Sequence, residues 1–314
     1  MTLRDSGGGN LPVFPMKAAI IVPARDKADY VGACVRSVLY QNYSPLEILF
    51  SDQGSTDDTL AVIKEECSKY DGPNKVRVLQ CPDVGDFGMP AMNAHHNWLN
   101  SQTDADIIIQ VSADDLIHPD RAKYVIEAYE KYNPSTVHTM QEFINPDFST
   151  NGNSRYNPDE DGWVSGRTCL MELVGGSSSL SWSHEFYDRI GGVHGQTIQD
   201  VYLPFVASQD RGMWYICVPL HAYVCYADEK NMGLGGQMKA AKNATERTRI
   251  QELVHYQILG TLRECALTVE KIKPDWEGDD KQALLASIIA QGLAWCNIRD
   301  ELTKFKIQPL MMRG

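Results

Sequence analysis

Hydrophobic positions along this chain alternate between two periods. Short β-branched runs mark buried strands, and between them apolar residues spaced three and four apart mark helices. Residues 18–22 (AAIIV) read as a first strand stopped by Pro23, and residues 28–41 then place Val31, Cys34, Val35, Val38 and Leu39 on one helical face. Residues 46–50 form a second strand that enters a Ser51-Asp52-Gln53-Gly54-Ser55 turn. Residues 56–70 are helical, with Ser55 in the N-cap position and Asp58 in the capping-box position. A third strand over 76–79, a glycine-containing loop over 83–88 and a helix over 89–99 lead to a fourth apolar run at 106–111. That run stops at Ser112-Ala113-Asp114-Asp115, and His118-Pro119-Asp120-Arg121 opens a helix with Pro119 as its first helical residue. This alternation predicts the α/β class: a doubly wound, mostly parallel sheet with right-handed crossovers.

Beyond residue 144 the pattern changes. Residues 145–168 are polar and turn-rich and read as a long surface excursion. A small-residue loop follows at 175–179 (GGSSS), then a short helix over 184–190 stopped by Gly191-Gly192. Residues 198–211 are helical, and the apolar, aromatic segment 213–226 supplies one or two strands. Residues 238–272 and 280–306 read as two long amphipathic helices around a break at 274–278. Their periodicity suits packing on the sheet and a homodimer contact equally.

Composition narrows the function classes. A hydrophobic content of 43% and a charged content of 22% fit a soluble globular protein of 314 residues. The net charge of -12 weighs against broad nonspecific binding to nucleic acid or an anionic membrane, though not against a local basic groove. No run has the length of a membrane span, and residues 1–16 carry no apolar signal core, so the expected location is cytoplasmic. The eight cysteines form no C-x-x-C pair and lie mostly in apolar periodic segments, as reduced core cysteines do.

Two adjacent carboxylates, Asp114 and Asp115, stand at the carboxyl end of a buried strand, where open α/β sheets place their ligands. Asp-Asp after a strand also serves as a turn and helix cap. What accompanies it matters more. The stretch PARDKADYVGACVRSVLYQNYSPLEILFSDQGSTDDT, followed by DIIIQVSADDLIHPDR, resembles the family-two glycosyltransferases of the GT-A fold. The shared features are an S-x-x-x-Q helix end (Ser37 to Gln41), a D-x-G-S-x-D-x-T turn (Asp52 to Thr59), an acidic motif after a strand, and an H-P-D-R helix start. The resemblance covers residues 17–130, continues more weakly to 226, and does not extend to 237–314.

Glycine- and proline-rich composition sets apart a loose leader (1–16), the resemblance implies a GT-A-like catalytic domain (17–236; nucleotide-sugar half 17–130, acceptor half 131–236), and the helical periodicity adds a C-terminal helical extension (237–314). The resemblance implies that Asp52 contacts the nucleotide base, with a turn or cap aspartate as the other reading. Pro23, Ala24 and Arg25 fall in the first nucleotide-binding turn, Arg25 suiting a surface role equally well. Asp114 would hold Mn²⁺ or Mg²⁺ with the donor's diphosphate, and Ala113 beside it would touch the nucleotide. Ser112 stands where the family often has a further aspartate. Asn93 would face the nucleotide, although Met92 precedes it where the family often has arginine. In an inverting transfer a carboxylate deprotonates the acceptor. After Gly191-Gly192 the family's Glu-Asp pair reads Gln199-Asp200, making Asp200 the implied base; its position also suits an aspartate interacting with the helix dipole.

Tyr223-Val224-Cys225-Tyr226 lacks the arginine and histidine of a Y-R-x-H element, so a third metal ligand could come from His221, Asp228 or His194. The small residues of 175–182 with Trp182 would form an acceptor-side sugar platform, Trp182 suiting the core equally well, and Trp163 in the polar loop is a second candidate acceptor contact. The expected activity is metal-dependent, inverting transfer from a nucleotide-sugar, a UDP-sugar first, to a hydroxyl acceptor on a glycan or lipid-linked glycan. The competing readings are a non-catalytic nucleotide-sugar-binding scaffold, a nucleotidyltransferase, and a transferase acting on a modified nucleic-acid base or a protein; the acidic balance does not point to nucleic acid.

Overall fold

The computed structural model describes residues 16–85, 88–153, 156–172, 174–225 and 241–273, with Ala286 and Ile288. Its first half follows the apolar pattern closely. Strands β1 (Ala18–Ala24), β2 (Leu46–Asp52), β3 (Lys75–Gln80) and β4 (Ile107–Gln110) alternate with helices α1 (Ala28–Leu39), α2 (Thr59–Ser68) and α3 (Met89–Asn100). The five apolar residues expected on one face of α1 are all buried. The second half comprises β5 (Leu116–Ile117), α4 (Arg121–Tyr132), β6 (Thr136–Ile144), β7 (Thr150–Asn153), β8 (Gly162–Val164), α5 (Gly166–Met171), β9 (Leu180–Ser183), α6 (His184–Ile190), α7 (Gln199–Ser208) and β10 (Met213–Val224). Helix α8 (Ala244–Ile272) follows.

The strands join in one sheet of order β3-β2-β1-β4-β9-β6-β10-β5, with β7 on β6 and β8 on β10. Pairs β1–β2, β1–β4, β2–β3 and β6–β10 are parallel, whereas β9 runs antiparallel to both β4 and β6. The fold is therefore the expected α/β sheet, made mixed by β9 and the short edge strands. Side-chain alternation splits the core in two. Ile20, Val22, Ile48 and Ile109 face α1 and α4, while Ile21, Leu49, Ile108 and Trp182 face the layer of α5, α6, α7 and α8.

Several boundaries differ from the sequence expectation. β1 continues through Pro23, because its ladder with β4 ends at Ile21 and Pro23 there interrupts no hydrogen bond on that side. α2 starts at Thr59 rather than 56, and neither Ser55 nor Asp58 caps it. α4 starts at Arg121, not Pro119, because β5 intervenes and the Pro119 carbonyl accepts from Asn42 N at 2.7 Å. The excursion over 145–168 contains β7, β8 and the start of α5; β7 is exposed throughout and so carries no apolar alternation to read.

α8 packs on the sheet domain through Ile258, Leu262, Cys265 and Val269, spaced at one helical face. Thr261 Oγ1 accepts from Ile198 N at 2.7 Å, and Thr268 Oγ1 meets Tyr202 Oη at 2.8 Å. The expected helix over 280–306 lies outside the described residues apart from Ala286 and Ile288. Among the described residues, seven cysteines are free and no helix is long and apolar enough to cross a membrane.

Candidate active site

The carboxyl ends of β1, β2 and β4 open into a cleft, and two polar turns frame its rim. In the turn after β1, Asp26 adopts a left-handed backbone (φ 51°) and its carboxylate accepts from Thr56 N at 2.7 Å. Ser55 Oγ accepts in return from Asp26 N at 2.9 Å, and Asp57 accepts from Ala28 N at 3.1 Å. The D-x-G-S-x-D stretch is thus a latch onto the P-A-R-D-K turn rather than a helix cap. Asp52 lies beneath it, 2% exposed, its two oxygens accepting from the amide and the hydroxyl of Ser55. Gln53, next in the chain, is the residue that turns outward: it lines a cavity of about 220 Å³ toward β4 and another of about 450 Å³ toward Cys81 and Gly85.

The smaller cavity gathers Pro23, Ala24, Arg25, Ala113 and Asp114. Lys27 Nζ lies 2.6 Å from Asp114 Oδ2, both side chains about one-fifth exposed. Burial, then the neighbouring Asp115 charge, raise the Asp114 pKa above the usual carboxylate range, and Lys27 pulls against them. Asp115 is 2% exposed and faces away: it meets His221 Nε2 at 3.2 Å and accepts from Val224 N at 3.2 Å. This ties the β4 turn to β10. Burial pushes the His221 pKa down, outweighing the Asp115 hydrogen bond, which raises it.

Asp200 sits in the first turn of α7, half-buried, and burial raises its pKa to about 6. On β10 the Tyr223 hydroxyl is pushed up to about 12, chiefly by burial, with the charges of Asp115, Asp114 and Asp200 adding to the rise. The loop carrying Asp200 is pinned to α3. Asn93 Nδ2 donates to the carbonyls of Gly195 (3.1 Å) and Thr197 (2.9 Å), and Asn97 Nδ2 to that of Val193 (2.8 Å). Gly191 and Gly192 both take positive φ (86° and 81°), and a Cβ on Gly192 would lie 2.4 Å from Asn97 Oδ1.

Residues 19–168 match the family model for Glycosyl transferase family 2. This segment belongs to that family. Its relatives include the hyaluronan synthase of Pasteurella multocida, 29% identical over 150 residues, and the chondroitin synthase of P. multocida strain Pm70, 31% identical over 150 residues. Each alignment covers 48% of this chain and 14% of the relative, so the chain spans about a seventh of those enzymes' length. The fold is that of S. aureus TarS 1-349 in complex with UDP-GlcNAc, with a TM-score of 0.61, 15% identity, and coverage of 94% of this chain and 77% of that one.

Within the family-two domain the structure sorts the expected site residues. Pro23, Ala24, Arg25, Ala113 and Asp114 share the cleft. Asp52 supports its turn from below. Asn93 does not face the cleft; it is fully buried and anchors the Asp200 loop, while its neighbour Met92 lines the cavity. Trp182 is not a sugar platform. It is 0% exposed, stacked on Tyr187 with ring centroids 5.0 Å apart, and its Nε1 donates to Asn100 Oδ1 at 2.8 Å.

The small residues before Trp182 serve packing, since a Cβ on Gly175 would lie 2.5 Å from Ser179 Oγ. Trp163 is 52% exposed but sits on β8, four strand positions from β4, against Trp214 and Tyr132 at the end of α4. Of the residues weighed as a third ligand, His221 is committed to Asp115, His194 caps the Gly191 carbonyl at 2.5 Å on a different loop, and Asp228 lies outside the described residues.

Sequence reasoning passed over Lys27, Gln53, His95, His96 and Gln110, all of which line the cleft. Lys27 had a signal, as the only lysine in the turn after β1. Gln53 lies in the turn after β2, and His95, His96 and Gln110 occupy helix and strand positions whose direction only the packing decides. A second, larger cleft of about 570 Å³ lies between the Asp200 loop (His194, Gln196, Thr197) and α8 (Tyr256, Leu259, Arg263), with Pro90 of α3 at its edge.

Proposed function

We propose that this protein transfers a sugar from a nucleotide diphosphate donor, a UDP-sugar, to a carbohydrate hydroxyl with inversion at the sugar carbon. The observation that carries the reading is the cleft at the carboxyl ends of β1, β2 and β4, where the Pro23–Arg25 turn meets an acidic turn paired with Lys27. Family membership and the UDP-GlcNAc named with TarS support the donor class. The names of the Pasteurella relatives support a polysaccharide acceptor.

The donor set fits a divalent cation that arrives with the diphosphate rather than one held permanently. Asp114 offers one hard carboxylate at an open cleft, and no group of three or more His, Cys, Asp or Glu able to hold a metal occurs among the described residues. Mg²⁺ and Mn²⁺ suit such a site, taking one or two carboxylates with substrate phosphates. When bound, the cation would neutralise charge building on the leaving diphosphate. Lys27, now on Asp114, lies within reach of the same charge once the carboxylate is engaged elsewhere. The Pro23–Arg25 turn and Gln53 would hold the nucleoside.

Asp200 would take the acceptor proton. A base with a pKa near 6 is ionised at neutral pH yet more basic than an ordinary carboxylate, which favours proton uptake. The raised value comes from burial that outweighs the helix N-terminus. A domain division with residues 17–236 as the catalytic unit follows, α8 lending a wall to the second cleft. The deciding experiment is calorimetric titration of UDP, GDP and CDP with and without Mn²⁺ on wild type and Asp114→Asn. Manganese-dependent binding of UDP, lost in the variant, is expected; absence of any nucleotide binding would overturn the reading and leave a scaffold without donor chemistry.

A further inference from the structure

The cleft beside Asp114 continues inward, between α3 and the ends of β4 and β9. Its inner wall carries His96, 3% exposed, and Gln110, 1% exposed, with Ser177. His96 Nδ1 and Gln110 Oε1 are both buried without a hydrogen-bond partner among the described residues. A buried polar atom left unpaired costs stability, and apolar side chains of the same shape would avoid that cost. Two such atoms lining one cavity are what a site looks like before its ligand supplies the partners.

The chemistry of the pair defines that ligand. Burial, helped slightly by His95, depresses the His96 pKa to about 3, so the ring is neutral and offers one N–H and one bare nitrogen. Of Gln110 it is the carbonyl oxygen, an acceptor, that is unpaired. A neutral ring nitrogen and an amide oxygen that seeks a donor match hydroxyl or acetamido substituents. They match an ionised phosphate poorly, since it only accepts.

Position along the sheet agrees. The strand order runs β2-β1-β4-β9-β6, with Gln53 and Ala24 at the ends of β2 and β1, Asp114 after β4, and Gln110 and Ser177 at β4 and just before β9. A donor whose nucleoside lies at β1 and β2 and whose diphosphate lies at Asp114 extends its sugar toward the inner wall. One turn back along α3 from His96, Asn93 holds the loop that carries Asp200.

We infer that His96 and Gln110 read the polar substituents of the transferred sugar and set which nucleotide-sugar is used. This rests on the donor reading above. The test uses the full chain with Mn²⁺ and titrates UDP, UDP-glucose, UDP-galactose, UDP-GlcNAc and UDP-glucuronate into wild type, His96→Phe and Gln110→Leu, with thermal melts of all three. Wild type is expected to rank the four sugars over about tenfold or more in Kd. Both variants compress that ranking by about tenfold while UDP binding stays within about twofold.

Gln110→Leu is expected to melt no lower than wild type, since it removes an unpaired atom. Equal loss of UDP and UDP-sugar in the variants would make this a nucleotide subsite and overturn the inference, as would an unchanged ranking. If wild type binds no UDP, the donor reading itself fails, and this inference with it.

Discussion

The two ends of the chain's sheet were built by different rules. From β1 to β3 each strand is followed by its helix, and the ends of β1, β2 and β4 meet in a cleft that takes Pro23, Arg25, Gln53 and Asp114 from the strand ends and the turns after them. From β5 to β10 spatial order departs from chain order: β9 inserts between β4 and β6, and β10 carries β6, β8 and β5 along its length. Asp115 and His221 meet across 106 residues, and Asp200 stands on a helix more than 80 positions after the acidic turn. Residues held by single turns can be read locally; the placement of Asp200, set by a distant helix, depends on the whole topology.

Loss of either aspartate separates the two halves. Asp200→Asn should lower turnover by about 10²–10⁴-fold with UDP affinity intact, measured by initial rates and calorimetry. Equal loss of UDP binding would show that Asp200 belongs to the donor half instead. Asp114→Asn should weaken manganese-dependent UDP binding by roughly 100-fold, with little change in metal-free binding.

The packing half has its own largest effect. Trp182→Ala should cost about 3–5 kcal/mol by chemical denaturation, because a fully buried indole and its hydrogen bond to Asn100 are removed. Trp163→Ala should cost only about 1 kcal/mol of aromatic contact and leave kinetics unchanged. A kinetic defect there would return Trp163 to the acceptor side.

The pH dependence tests Asp200 more finely. With a folded pKa of about 6, kcat/KM should fall as pH drops through 6, since only the ionised carboxylate accepts a proton. Stability should move the opposite way. The folded state holds this proton more tightly than the unfolded chain does, so the group's contribution is full below the unfolded pKa and lost as pH rises through 6. Asp200→Asn should therefore melt slightly higher than wild type at pH 7 while being inactive. The smallest effect belongs to the second cleft: Tyr256→Ala, at a 63% exposed position, should leave UDP affinity by calorimetry unchanged, and a loss would join that cleft to the donor half.

Much of this was legible beforehand, for identifiable reasons. The strands of the first half are β-branched and bounded by turn residues, and Asp114 stands directly after one of them. Asp200 follows a glycine pair whose positive φ values only glycine adopts easily. Asn93 and Trp182 were misjudged because residue type does not tell which face of a helix or strand points inward when both faces are covered. Ser55 was misjudged because a polar turn can satisfy another turn as readily as its own helix, and Asp58 makes no side-chain cap bond.

By itself, then, the sequence determined the α/β class, the first-half order of strands and helices, the family motifs and the identity of the acidic turn, since these depend on local periodicity and short-range backbone preference. Only the tertiary structure decided that Asp115 turns away to His221, that Lys27 meets Asp114, that α8 walls a second cleft, and that His96 and Gln110 share a buried cavity with Asp114. Such pairings join residues tens of positions apart or more, and they are selected by how the sheet layers pack rather than by any preference of the residues themselves.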